Sequence, residues 1–196
     1  VGRALHQWLD NTGIRYEGLG TDRKVYVYRS GDNADITPIR QSNTLTSVFN
    51  TTSGSSNVVV NHSTHGAQLG DFITISNVAP TSIGGISNSS LDAQYEIIEI
   101  TNADAYTIQS SGTANATVTT TGNCDIEYQL SIGPDQQTFG FGWGTGSWNL
   151  STWGTPRSTS QSDIRLENSQ WSLNLWGEDL IATVRNGQIY YWDTSV

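Results

Sequence analysis

Residues 179–192 read DLIATVRNGQIYYW, and this stretch decides the fold. An apolar run from Asp179 to Val184 is followed by Arg185-Asn186-Gly187 and then by Gln188-Ile189-Tyr190-Tyr191-Trp192. Asn-Gly between two apolar runs is the strongest short hairpin signal, because both residues tolerate positive φ. The same order stands near the other end of the chain. Residues 16–28 run YEGLGT, then the polar turn DRK, then VYVY, with Val25 and Val27 on one face of an extended chain and Tyr26 and Tyr28 on the other. An inner strand followed by an aromatic one is the order of successive propeller blades. What lies between the two hairpins then reads as an insertion.

The texture of that middle region differs. From about Gln41 to Asn123 charges are sparse, and Thr or Ser alternates with β-branched apolar residues. Short strands are expected at 44–49, 57–61, 72–78, 94–100, 105–110 and 116–121, spaced as in a small antiparallel barrel or sandwich. Alternation breaks at Ile97-Ile98, where a bulge would bring both Glu96 and Glu99 outward. Paired carboxylates can serve glycosidases, but only facing each other across a cleft, so a solvated face is the better reading. A further strand is expected at 125–132, and an extended piece at 35–40 after a turn at 30–33. In residues 3–9 the spacing of Ala4, Leu5, Trp8 and Leu9 suggests a short helical or irregular segment. The fold class is therefore all-β: blade-like segments in 1–40 and 125–196 flank a small antiparallel β-barrel or sandwich domain in 41–124.

The last part opens on a tryptophan ribbon, FGFGWGTGSWNLSTWGTPR, at 139–157. Trp143, Trp148 and Trp153 are five residues apart, a spacing that fits neither one helix stripe nor one face of a strand. The glycines around them make a looping ribbon whose rings either anchor its bends in the core or stack on sugars or bases. With Arg157, Trp171, Trp176 and Trp192 they are the candidate structural and interface residues, since Trp, Tyr and Arg concentrate at interfaces.

Composition narrows the function classes. A net charge of −9 argues against duplex nucleic acid as the main partner, because neutralising phosphates needs clustered Lys and Arg. Cys124 is the one cysteine, so no internal disulfide can form, and its alternating surroundings make it a small core residue. No apolar run approaches the length of a membrane span, and residues 1–11 lack a signal-peptide pattern. The absence of any methionine suggests a piece of a longer or processed polypeptide. His62, His65 and Asp71 have ligand chemistry, but a HxxH pair in a Ser/Thr/Gly loop reads better as a turn. Asp32 and Asp35 lack the oxygen density of a calcium loop. No phosphate loop, nucleophile elbow or dinucleotide motif is present, so no catalytic, cofactor-binding or metal residue is expected.

Across nearly the whole chain a series of segments carries a resemblance. They include Val25-Tyr26-Val27-Tyr28, 35–40 (DITPIR), 142–146 (GWGTG), 153–157 (WGTPR), Trp171-Ser172-Leu173, 176–182 (WGEDLIA) and 189–193 (IYYWD). In their order they resemble the structural tail proteins of short-tailed bacteriophages, of the nozzle or tail-tubular-B type. Such a resemblance implies a non-enzymatic virion component, a homo-oligomeric ring meeting the adaptor and fibre proteins, with a propeller-like platform and a central passage for DNA. Members of that family are longer than this chain. A carbohydrate- or receptor-binding β module that meets a host-surface glycan through exposed tryptophans is the alternative.

Overall fold

The computed structural model describes residues 2–131, 170–184 and 187–194. Their regular structure is β throughout, apart from one 3-10 turn at Asn88–Ser90. The all-β expectation holds, with every pairing antiparallel. The ribbon residues Trp143, Trp148, Trp153 and Arg157, and the turn residues Arg185 and Asn186, lie outside the described residues. The chain divides into two compact units, Val1–Ile36 with Ile132–Val196, and Thr37–Ser131.

The first unit opens with a four-stranded meander: β1 (Gly2–Leu9), β2 (Arg15–Thr21), β3 (Val25–Arg29) and β4 (Asp32–Asp35), in that spatial order. The helical or irregular expectation for residues 3–9 is overturned. β1 pairs with β2 from Ala4↔Gly20 to Leu9↔Arg15, which turns Trp8 inward and Leu5 and Leu9 outward. The helical spacing of these four apolar residues was coincidence, because on a strand both faces of β1 carry apolar side chains. Asp10 shapes the β1–β2 connection, its Oδ1 accepting from the amides of Thr12 and Ile14 at 2.8 and 2.9 Å. Ser30 and Gly31, at φ 51° and 105°, make a two-residue turn, so Asp32 and Asn33 belong to a strand and not to the expected turn.

The second unit holds β5 (Ile39–Thr51), β6 (Asn57–Asn61), β7 (Phe72–Ala79), β8 (Ser82–Ile83), β9 (Ile86–Ser87), β10 (Gln94–Glu96), β11 (Glu99–Asn102), β12 (Ala105–Gln109) and β13 (Val118–Gln129). Seven of these form one sheet in the order β10-β7-β13-β5-β6-β12-β11, and β8 and β9 form a hairpin of their own. The ladder is not a closed barrel, yet its two edge strands are consecutive in the chain. Ile97 and Ile98 carry the chain from one edge to the other: the Ile97 amide donates to Asp71 O, beside β7, and the Ile98 amide to Thr107 O on β12. The sheet therefore curls until its edges meet at this isoleucine pair, and the single bulged strand expected at 94–100 is instead two strands, β10 and β11, broken at Ile97-Ile98, with Glu96 and Glu99 both exposed. Inside the curl Phe49, Val58, Val60, Ile73, Ile108 and Ile126 are fully buried. The strands expected at 116–121 and 125–132 are one strand, β13, bulged around Gly122 at φ 80°. Cys124 is a core residue, and burial pushes its thiol pKa up to about 12.

The chain returns to the first unit as β14 (Trp171–Trp176), β15 (Asp179–Val184) and β16 (Ile189–Trp192), a three-stranded meander. The expected hairpin pairs Thr183↔Ile189 through Leu180↔Trp192. Its inner face packs on the inner face of the four-stranded sheet around Trp8, Tyr16, Val27 and Leu180, with Leu173, Leu175 and Trp192 against them. Two glycines of β2 make the approach possible. A Cβ added at Gly20 would stand 2.6 Å from Trp171 Cβ, and one at Gly18 3.3 Å from the Trp8 ring and 3.5 Å from Leu173 and Leu180. Gly20→Ala should therefore force the two sheets apart. Overpacking of this kind costs about 1–3 kcal/mol, and thermal melting should show a clear loss for Gly20→Ala. An unchanged melt would mean that Trp171 does not sit on β2.

Candidate functional site

Two constellations stand out: a buried polar chain in the second unit and an aromatic outer face in the first. The polar chain begins with His62 and His65, at the two ends of the turn after β6. Asp104 holds this turn, accepting from the Thr64 amide at 2.7 Å and from Ser63 Oγ at 3.1 Å. These bonds, the Thr64 amide first, hold the Asp104 carboxyl below the usual carboxylate range. His65 is buried, and its Nδ1 accepts from the Ala67 amide at 2.9 Å, which leaves Nε2–H to donate to Asn102 O at 3.1 Å. His62 Nδ1 lies 2.6 Å from Tyr128 Oη, which lies 2.9 Å from Tyr106 Oη. The Arg40 guanidinium covers the Tyr128 ring at 4.8 Å and donates through Nη2 to His65 O at 3.2 Å. Asp71 spends a carboxylate oxygen on the Gln68 amide at 2.9 Å.

Each group that sequence alone could offer to a metal is thus engaged in shaping this turn. Among the described residues, no three His, Cys, Asp or Glu side chains gather as a metal site. Glu96 and Glu99 are both exposed, and Glu99 accepts a long bond of 3.4 Å from Thr107 Oγ1. Burial is the main cause that lowers the His62 pKa, with His65 and Arg40 adding to it. Neutral His62 fits its geometry: Tyr106 donates to Tyr128, and Tyr128 donates to the bare Nδ1. Sequence reasoning found the two histidines but not their partners, because Tyr106 and Tyr128 come from strands far along the chain.

The tryptophan candidates separate by strand face. Trp171 is 4% exposed and seated over Gly20. Trp192 packs edge-on against Trp8 and Tyr16, with centroids at 6.5 and 6.1 Å, while Trp8 and Tyr16 stack at 5.3 Å. Trp8 Nε1 donates to Glu178 O at 2.9 Å and so ties the two sheets together. Trp176 differs: it is 72% exposed on the outer face of the three-stranded sheet. It stands directly opposite Asp179 on β15. Tyr191, also on this face and 58% exposed, donates its hydroxyl to Asp179 Oδ2. The other oxygen, Oδ1, accepts from Thr194 N and Oγ1, each at 3.0 Å. These bonds, the Tyr191 one first, lower the Asp179 pKa, and the same carboxylate pushes the Tyr191 phenol up to about 12. Strand alternation, Trp171 in and Trp176 out across an odd spacing, was the signal that could have separated the two rings.

No family model matches the chain, and no curated protein matches it. Among solved structures it is similar to the phage phi92 endosialidase, at 15% identity and a TM-score of 0.38, over 64% of this chain. The chain spans 18% of that protein's length. At that degree of overlap the likeness carries no argument about what this chain binds or does.

The buried imidazole supplies a pH test. Because the folded pKa of His62 is depressed, the unfolded chain binds the proton more readily, so its contribution to stability is present above the unfolded value of about 6.5. That contribution is lost as pH falls from there through the folded value. The melting temperature of the wild type should fall as pH is lowered from about 7.5 to about 5. His62→Gln should flatten that slope; a slope that survives the substitution would assign it to other groups.

Proposed function

We propose that the chain is a non-enzymatic structural component of a bacteriophage tail, of the nozzle or tail-tube kind, which builds the tail wall around its DNA passage by contacts between copies. The sequence resemblance motivates this reading, and one structural observation supports it. The outer face of the four-stranded sheet carries an apolar row that runs across strands, Leu5↔Leu19↔Tyr26. Leu9 and Tyr28 stand on the same face, and Leu5 and Leu9 are each 60% exposed. Apolar side chains gathered on one sheet face mark an interaction surface, and a sheet face is what one blade offers the next.

The charge distribution suits a wall that DNA passes without adhering. Between Thr37 and Ser131 the single Lys or Arg is Arg40, and it is engaged with Tyr128 and His65. A surface this poor in cations gains nothing from releasing phosphate counterions. The portal-side adaptor, the fibre proteins and the virion location belong to the same proposal.

Light scattering on the purified chain, with negative-stain imaging of any large species, tests it. We expect a defined ring or tube, and dissociation on Leu5→Glu with Leu19→Lys. Burying a leucine side chain is worth about 1.5–3 kcal/mol, so the double substitution should weaken association on the order of 100-fold or more. A monomer at every concentration, or an assembly indifferent to both substitutions, would remove the support this face gives.

A further inference from the structure

The outer face of the three-stranded sheet differs in kind from the apolar row on the other sheet. Its aromatic rings alternate with fixed polar groups. Trp176 stands opposite Asp179, Asn174 opposite Ile181, and Tyr191 on the far side of Ile181. All of these project from one face, since directly paired residues share a face and alternate residues of a strand return to it. The Asp179 carboxylate between the two rings is held on both oxygens, by Tyr191 and by Thr194. Trp176 carries no such restraint and keeps most of its surface in water.

We propose that this face is a carbohydrate-binding platform for neutral or amino sugars. A pyranose ring has an apolar face of C–H groups and a rim of hydroxyls. The exposed indole of Trp176 offers a flat π surface with a negative quadrupole to the C–H face. Asp179 accepts from one rim hydroxyl through its remaining lone-pair site on Oδ2, a charge-assisted bond stronger than a neutral one. Asn174, whose Oδ1 accepts from the Leu175 amide at 2.9 Å, can donate there through Nδ2, and the Tyr191 ring supplies a second apolar surface across Asp179. Tyr191 also fixes the carboxylate before any ligand arrives, so little rotamer freedom remains to be lost on binding.

Charge chooses the sugar. The Asp179 carboxylate is held against the Tyr191 hydroxyl, between the two rings. A fixed negative charge there repels sialic and uronic acids and favours neutral hexoses or the ammonium of a hexosamine. A second sheet or another protein copy is a poorer occupant, because covering the face would bury the Asp179 carboxylate against apolar groups. The inference stands apart from the structural role and needs no assembly.

Affinity electrophoresis tests it directly. The purified chain is run through gels containing dextran, galactomannan, soluble glycol chitosan or polysialic acid, beside Trp176→Ala, Asp179→Asn and Tyr191→Phe. Retardation by at least one of the first three is expected, weakened about tenfold or more by Trp176→Ala and less by Tyr191→Phe, which keeps the ring. Trp176 is exposed, so its melting temperature should not move. Retardation by none of the three, retardation indifferent to Trp176→Ala, or a preference for polysialic acid each overturns the proposal. A change in oligomeric state on Trp176→Ala, with sugar retention unaltered, would make the face a protein interface instead.

Discussion

The first unit depends on one contact between sequence-distant parts, the seating of Trp8 and Tyr16 on Leu180 and Trp192. Neither sheet could be stable alone. A meander of three or four strands must cover its apolar inner face, and among the described residues each sheet's inner face is covered by the other's. The Trp8 indole adds direction to the contact, because its N–H finds Glu178 O and so fixes how the two sheets are offset. Gly18 and Gly20 set the separation, since any Cβ there would meet Trp8, Leu173 or Trp171. The aromatic strands and the two glycines are thus one device, in which large side chains of one sheet fill the space that the other leaves.

The second unit is one continuous stretch of sequence between the two parts of the first. The chain leaves at residue 37 and returns at residue 131, and these two points are neighbours. Leu130 N donates to Pro38 O at 2.7 Å, continuing the pairing of β5 with β13. An insertion whose ends lie side by side imposes little on its host. The inserted sheet carries its own fully buried core, and the curl that encloses it depends on Ile97 and Ile98, whose amides bond in opposite directions. A polar cluster fills the turn after β6, where Tyr128 meets His62 and Tyr106, and Arg40 donates to His65 O.

The two outer faces of the first unit suggest division of labour. Leucines and tyrosines in cross-strand rows are suited to meeting another sheet, whereas isolated rings beside a fixed carboxylate are suited to hydroxylated ligands.

Local pattern was enough for the strands. Asn186-Gly187 between apolar runs fixed the last hairpin and the Thr/Ser alternation foretold antiparallel strands, because turn chemistry and period-2 alternation are properties of neighbouring residues; the doubled isoleucine marks a break between two strands and not the expected bulge. Residues 3–9 were misread for the same reason: four apolar side chains match a helical stripe as well as a strand with two apolar faces, and only the pairing with β2 decides. The candidate sites were legible in residue type but not in role. Trp171 and Trp176 look alike in the sequence, yet one is buried over Gly20 and the other faces water opposite Asp179. Likewise His62 could not be distinguished from a ligand until Tyr128, 66 residues away, closed on its ring. The sequence by itself determined the β class and the last hairpin, both consequences of short-range chemistry. Which aromatic rings hold the core and which are offered to a partner was decided by the tertiary structure, because burial is a property of what packs against a residue from elsewhere in the chain.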